Sequence, residues 1–334
     1  MADDLSGEGP QLRRDPLTGE FVIIAPQRGQ RPHSSPPGRE TTKAPAFDPE
    51  CPLCPGNEEE TPPPELVLKG SDGGWSVRVV PNRYPVVAPG TASRDRSRAT
   101  GAHEVLVETP RHDLDLPDRG VDSVALMLEA LQQRLRALEQ RRGTRHVIAF
   151  KNRGREAGTS LDHPHSQIMA LDFLPPLARR RVVLARRFFQ QTGRCYLCTM
   201  IEDERRAGLR FVFEREGYVA LTSYGCGSPG ETLLAPVQHA ATFTAARDSL
   251  PQHAGALHEL TRRNRDAFDD PPYNLVLQGA PVVSANDPAL HWFWQLSPRG
   301  TIAAGFELGT GVLVNSLSPE QAAKILRGEA SLER

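Results

Sequence analysis

The chain has 334 residues, with 40 Lys and Arg against 41 Asp and Glu, a formal net charge of −1 and 38% hydrophobic residues. That length suits one large domain or two of ordinary size, and a charge so near zero sets up no global field for nucleic acid or an anionic membrane. The start, Met1-Ala2-Asp3-Asp4, is acidic and lacks an apolar core, so no signal peptide is expected. No apolar run approaches a membrane span, and the cytoplasm is the expected compartment.

Residues 1–10 read as a loose tail. Phe21 to Ala25 is a short strand running into Pro26-Gln27-Arg28-Gly29-Gln30-Arg31-Pro32. Arg28 and Arg31 are surface charges or two guanidinium forks for a phosphate. Residues 33–48 read as loop, and Cys51-Pro52-Leu53-Cys54 follows as a knuckle of the zinc-binding kind. Trp75 to Pro81 and His103 to Glu108 read as strands. Val124, Leu128, Leu131, Leu135 and Leu138 step by three or four, predicting an amphipathic helix from Val121 that Gly143 closes. His146 to Phe150 is a strand, followed by a turn through Gly154 and Gly158 and then His163-Pro164-His165-Ser166-Gln167. If that stretch is extended, its alternate side chains His163, His165 and Gln167 share a face at roughly 7 Å spacing. A helix over about 178–190 bridges to the second half. There Arg179-Arg180-Arg181 and Arg186-Arg187 are expected as a solvated face.

The second half repeats the first. Cys195-Tyr196-Leu197-Cys198 opens it. Strands near 210–222 and 231–235 lead to His239, a helix covers about 250–268, Tyr273 to Gln278 is a strand, and a loop reaches His291-Trp292-Phe293-Trp294-Gln295. His112 to His163 spans 51 residues and His239 to His291 spans 52, which indicates an internal duplication. The division is placed at 1–177 and 178–334. Each half then owns a full Cys2His2 set, Cys51, Cys54, His112 and His163 in the first and Cys195, Cys198, His239 and His291 in the second. Four protein ligands leave no open position, so both sets are expected as structural zinc sites. In a reducing compartment the cysteines are ligands or free thiols rather than disulfides, and Cys226 is a small packed side chain.

The copies differ at one telling place. His165 is matched by Phe293, whereas Gln167 is matched by Gln295. A scaffold residue should appear in both halves, so His165 is assigned the chemistry. A neutral imidazole near pH 7 is a competent nucleophile toward phosphorus, and a covalent phosphorus–nitrogen adduct splits one displacement into two. One ring nitrogen must keep its proton on an orienting backbone carbonyl. Gln167 can donate an N–H to a nonbridging oxygen as charge builds there.

The spacing Asn152-Arg153-Gly154-(x3)-Gly158-Thr159-Ser160-(x2)-His163-Pro164-His165-Ser166-Gln167 resembles the galactose-1-phosphate uridylyltransferase family of the histidine triad superfamily. The likeness runs from about Arg13 to Arg327. It includes the Arg28/Arg31 segment, Cys51/Cys54, Asn82, His112 and Gly305-Phe306-Glu307. The resemblance implies an α+β fold of two tandem histidine-triad-like halves, each an antiparallel sheet with a helix packed on it. It implies ping-pong transfer of UMP from UDP-glucose to a hexose 1-phosphate through a nucleotidyl-His165 intermediate. Carried over by position, Gln167, Ser160, Arg28 and Arg31 are similar to phosphate contacts, and Asn82 is similar to the nucleoside contact. Asn152 and Gly158 fall in the nucleotide loop, while Phe306 and Glu307 resemble hexose-binding positions. The resemblance admits iron instead of zinc at the second site. It also admits a homodimer in which a partner completes the hexose site.

Two departures bear on substrate. Arg83 and Tyr84 follow Asn82, where the best-known members carry an acid and an aromatic. Phe293 and Gln295 stand where many members keep a second His-x-His pair. The C-terminal half is similar to a branch that includes ADP-glucose phosphorylase, in which inorganic phosphate discharges the nucleotidyl-enzyme. That reading stands as the alternative. A hydrolase of the superfamily and, more distantly, a zinc-ribbon interaction module are the other competitors. Nucleic acid and membrane are not expected as partners.

Overall fold

The structure, a computed structural model, describes residues 9–30, 44–71, 73–90, 99–245, 249–300 and 303–332. In chain order the strands and helices begin with β1 (Gln11–Arg14), β2 (Phe21–Ile24), β3 (Leu66–Lys69), β4 (Trp75–Pro81) and β5 (Gly101–Val107). They continue with α1 (Val121–Glu139), β6 (His146–Arg153), β7 (His165–Leu171), α2 (Pro176–Thr192) and α3 (Tyr196–Ala207). The second half adds β8 (Phe211–Arg215), β9 (Tyr218–Thr222), β10 (Thr232–Pro236), α4 (Leu250–Phe268), β11 (Tyr273–Gln278) and β12 (Phe293–Pro298). The chain ends with α5 (Gly305–Thr310), β13 (Leu313–Asn315) and α6 (Pro319–Arg327).

Ten strands form one sheet in the order β3-β4-β5-β7-β6-β11-β12-β10-β9-β8. All its pairings are antiparallel, and β6 against β11 joins the two repeats. The fold is therefore α+β with two related halves, and their sheets are continuous. Helices α1 and α4 lie on one face. The five apolar positions that predicted α1 are all buried in a core that also takes Ile168 and Ala170 of β7 and Trp294 and Leu296 of β12. Because side chains alternate along a strand, His165 and Gln167 face away from those helices.

Gly101 marks where β5 meets β7 most closely. A Cβ there would sit 2.0 Å from the Ala170 carbonyl oxygen, so no larger residue fits this register. A separate sheet, β1-β2-β13, joins the N-terminal segment to the C-terminal one. The 177/178 division expected from the sequence falls in the first turn of α2. Among the described residues, no helix is long and apolar enough to cross a membrane.

Candidate active site and metal-ligand sets

Each predicted Cys2His2 set is assembled in space, with its four ligand atoms within 4.8 Å of one another. Cys54 Sγ lies 3.5 Å from the Nδ1 atoms of both His112 and His163. In the second set, Cys198 Sγ lies 3.4 Å from Nδ1 of both His239 and His291. A tetrahedron with metal–sulfur bonds near 2.3 Å and metal–nitrogen bonds near 2.0 Å has edges of about 3.5 Å, so both sets fit an ion of that geometry. The remaining ring nitrogens are held alike. His163 Nε2 meets the Thr109 carbonyl at 2.8 Å, and His291 Nε2 meets the Pro236 carbonyl at 3.0 Å. Donation to a carbonyl fixes the tautomer and leaves Nδ1 free to ligate. The first set is buried throughout, whereas His239 in the second is exposed.

His165 stands outside both sets. It opens β7 on the face away from α1, and its Nδ1 lies 2.8 Å from the backbone carbonyl of His163. Nδ1 therefore carries the proton and donates it to that oxygen, and Nε2 keeps the lone pair. Burial is the main reason its pKa is lowered. The His163 carbonyl works against that shift and the Lys151 charge adds to it, so the ring is neutral at pH 7. His163, a member of the first Cys2His2 set, thus also supplies the oxygen that orients His165.

Behind β7, on the helix side, lies a buried ionic network. Glu108 accepts from Lys151 Nζ at 3.0 Å, from Arg119 Nη1 at 3.1 Å and from Ser166 Oγ at 2.7 Å. Asp115 pairs with Lys151 and Arg153 and accepts from the Tyr273 hydroxyl at 2.7 Å. Burial would raise the Asp115 pKa, but the two cations and the hydroxyl hold it down at about 2. Glu108, Asp115 and Lys151 were not singled out from the sequence, and Arg153 and Ser166 entered only within the quoted spacing. Their signal was three charged positions in or beside strands whose other inward positions are apolar.

Asn152 accepts from Asn274 Nδ2 at 2.8 Å, and the same amide donates to the Ala157 carbonyl at 2.8 Å. One β11 side chain therefore pins the loop that carries Gly158, which adopts φ +89° with open space above it. Ser160 is exposed on the continuation of that loop. Gln167 meets His103, and Asn82 lies against the same ring. His103 was missed in the sequence because it sits in an ordinary strand pattern. Arg28, Phe306 and Glu307 gather elsewhere, around the small β1-β2-β13 sheet, where Arg28 helps lower the Glu307 pKa after two backbone N–H groups have done most of it. No hydrogen bond joins these three to His165 among the described residues. Glu307 does line a cavity of about 300 Å³ together with Asn274, Gln295 and Arg299. Arg31 lies outside the described residues.

One expectation for the second half needs correction. Arg181 is not part of a solvated face. It turns inward, donates to Gln295 Oε1 at 3.2 Å and stacks over the Phe293 ring at 5.6 Å. Phe293 lacks an imidazole's polar edge, so the guanidinium can cover it. Cys226 is buried, with Asn315 donating to its backbone carbonyl, as a small packed side chain should be.

A family model described as "Galactose-1-phosphate uridyl transferase, N-terminal domain" matches residues 90–175, the span that holds α1, β6 and the histidine stretch. Over 99% of its length the chain is 31% identical to ADP-glucose phosphorylase of Arabidopsis thaliana, covering 95% of that protein. Over 95% of its length it is 28% identical to galactose-1-phosphate uridylyltransferase of Thermotoga maritima, covering 98% of it. The crystal structure of the Arabidopsis ADP-glucose phosphorylase with bound ADP-glucose superposes with a TM-score of 0.84 at 30% identity, covering 97% of this chain and all of that one. With the repeat, the paired ligand sets and the free histidine all in place, this likeness over nearly the whole length means that the chain belongs to the galactose-1-phosphate uridylyltransferase family.

Proposed function

We propose that this protein is a nucleotidyltransferase that moves a nucleoside monophosphate from a nucleotide sugar by way of His165. Its first reading is UDP-glucose:hexose-1-phosphate uridylyltransferase. Nε2 of His165 attacks the α-phosphorus. The bond to the bridging oxygen breaks, and the sugar 1-phosphate leaves with that electron pair. A phosphate oxygen of the incoming hexose 1-phosphate then attacks the same phosphorus and regenerates neutral imidazole. Nδ1–H remains on the His163 carbonyl, which stabilises the positive ring of the intermediate. Gln167 donates to a nonbridging oxygen, with Ser160, Arg28 and Arg31 as further phosphate contacts. Asn82 meets the nucleoside, the Asn152–Gly158 loop borders the phosphates, and Phe306 and Glu307 receive the hexose.

Zinc is the metal proposed for both Cys2His2 sets, with iron the alternative in the second. When bound, the metal supplies rigidity and no open coordination position. Its effect on chemistry passes through the carbonyl of His163. A homodimer is part of the same proposal, with a partner completing the hexose end. The exposed Phe306 and Leu308 of α5 suit burial against a second copy. A soluble cytoplasmic enzyme acting on small phosphorylated sugars accords with the near-neutral charge.

The observation that carries the conclusion is His165 itself, with its Nδ1 proton held by the His163 carbonyl, a lone pair left on Nε2, and Gln167 on the same face of β7. A second reading, ADP-glucose phosphorolysis, is favoured by the 31% identity to the Arabidopsis phosphorylase against 28% to the Thermotoga uridylyltransferase. Incubation with base-labelled UDP-glucose or ADP-glucose, followed by denaturation in base, separates the two. The retained nucleotide names the donor, and a chase with hexose 1-phosphate or inorganic phosphate names the acceptor. His165→Gly should retain neither label. A wild-type protein that retains neither nucleotide would sink both readings.

A further inference from the structure

The internal repeat, which set His165 apart, sets a second histidine apart as well. Across the sites the halves are offset by 128 residues: His163 answers to His291, His165 to Phe293 and Gln167 to Gln295. Strand register extends the match. Val105 pairs with Gln167 and Leu233 pairs with Gln295, so His103, two residues before Val105, answers to Glu231. The glutamine is kept in both halves while its neighbour differs, a neutral ring in one and an acid in the other.

We propose that His103 is a positioning residue for the nucleotidyl transfer, holding the Gln167 amide with its oxygen inward and its N–H2 group toward the reacting phosphate. The polarity follows from one donor that cannot be reversed. The backbone N–H of Val86 points at His103 Nδ1 at 3.2 Å, so that nitrogen is an acceptor. A neutral ring then carries its proton on Nε2, which lies 2.8 Å from Gln167 Oε1. A carbonyl oxygen committed to His103 leaves the Gln167 N–H2 as the end that faces outward. Burial lowers the His103 pKa, so the ring stays neutral and the arrangement is kept at physiological pH.

The second half has the opposite polarity. Glu231 takes hydrogen bonds from Ser297 and Gln295, while Gln295 Oε1 accepts from Arg181 and Gln278. There the amide turns its N–H2 to the acid and its oxygen outward. An outward oxygen would repel a phosphoryl group. Asn82 joins the first arrangement from the nucleoside side. Its Oδ1 accepts from the Tyr84 N–H at 2.8 Å, and its Nδ2 lies 3.2 Å from His103 Nε2. The same Nδ2 lies 3.5 Å from His103 Nδ1, so the Asn82 amide rests against the ring at both of its nitrogens. One imidazole thereby touches both Asn82 at the nucleoside end and Gln167 at the phosphate end.

This inference rests on the proposed chemistry at His165, and the test keeps the two apart. The rate of single-turnover labelling at saturating donor is measured for wild type, His103→Ala, Gln167→Ala and the double variant, with thermal melting as a folding control. His103→Ala should slow labelling about tenfold, the factor set by losing a hydrogen-bond bias of about 1.4 kcal/mol. In the Gln167→Ala background the same change should add almost nothing. His103→Gln, which can still donate an N–H to Gln167, should recover most of the rate. His103→Glu, which copies the second half, should be at least as slow as Gln167→Ala. Equal factors in both backgrounds, or wild-type labelling by His103→Ala, overturn the inference. If wild type takes no label, the chemical reading has failed, and the imidazole ¹⁵N shifts of His103 still decide the orientation. A proton on Nε2 supports it, and a proton on Nδ1 overturns it.

Discussion

Gln167 and His165 differ in what their loss should do, although both project from the same face of β7. In the proposed chemistry His165 forms the bond to phosphorus, so His165→Gly should leave no labelled protein. In the same proposal Gln167 only steadies charge. Removal of one such preorganised donor costs about 10²–10³ in rate, so Gln167→Ala should form the adduct slowly but completely. Rapid-quench labelling reads this, and melting should barely move because Gln167 is half-buried and outside the apolar core. An unchanged labelling rate would remove Gln167 from the chemistry. That His165 stands outside both Cys2His2 sets was legible in the sequence, because the repeat supplies its own control, a phenylalanine at the matching place. His103 was equally available to that comparison, but the pairing of β5 with β7 was needed to align it. Phe306 and Glu307 rested on family likeness, and Arg28 read from the residues only as a surface charge or a phosphate fork, because short exposed segments around a small sheet carry no periodicity that points to a ligand.

At the scale of elements, the two knuckles have the same ligands and different neighbours. The first holds His163, whose carbonyl orients His165 at 2.8 Å, while the second holds His291, which is followed two residues later by an inert Phe293. Cys54→Ser should therefore lose metal and adduct formation together. Cys198→Ser should lose metal and melting temperature while most adduct formation survives. Metal content by atomic absorption and label retention on the same samples check this, and equal loss of labelling in both would contradict it. The ionic network behind β7 gives a second expectation. Glu108→Ala strands Lys151 and Arg119 in the interior, and breaking a buried pair costs about 3–5 kcal/mol, which urea denaturation would measure.

The long helices α1 and α4 and strand β11 were readable from period alone, since each has one buried face and one open one. Strand β12 was given no element in the sequence, because both its faces are covered. Phe293 packs in one apolar cluster and Trp294 in the other, so no alternation survives. Helix α3 was not predicted, because Cys195-Tyr196-Leu197-Cys198, from which it starts, was read only as a pair of metal ligands. Strands β1, β3 and β13, of three or four residues, are shorter than any pattern can certify.

For the molecule as a whole, two buried groups in the second half should shape stability against pH in opposite senses. His253 is fully enclosed by Tyr218, Phe243 and Trp292, and its Nε2 accepts from Trp294 Nε1 at 2.8 Å. Burial lowers its pKa to about 3 from an ordinary 6.5. Below 6.5 the unfolded chain takes up a proton that the folded chain refuses, so this contribution is present above pH 6.5 and is lost as pH falls toward 3. Glu231 behaves in reverse. Burial raises it to about 7 from 4.5, Ser297 and Gln295 oppose that rise, Asp15 adds to it, and Arg181 weakly opposes it. Between 4.5 and 7 the folded chain holds a proton that the unfolded chain has released, so its contribution is present below pH 4.5 and is lost as pH rises through 7. The two slopes offset each other from 4.5 to 6.5, and the wild-type curve should be flat there as far as these groups decide it. Glu231→Gln keeps the shape and hydrogen-bonding capacity of a protonated acid and cannot ionise. Relative to wild type, its unfolding free energy should rise between pH 4.5 and pH 8 by about 3 kcal/mol, from a shift of roughly 2.5 units at 1.36 kcal/mol each. Urea melts at the two pH values measure that difference. A gap that stays constant across the range would mean that Glu231 is ionised in the folded protein. The hydrogen bonds from Ser297 and Gln295, with the charge of Arg181, would then outweigh burial and the neighbouring Asp15.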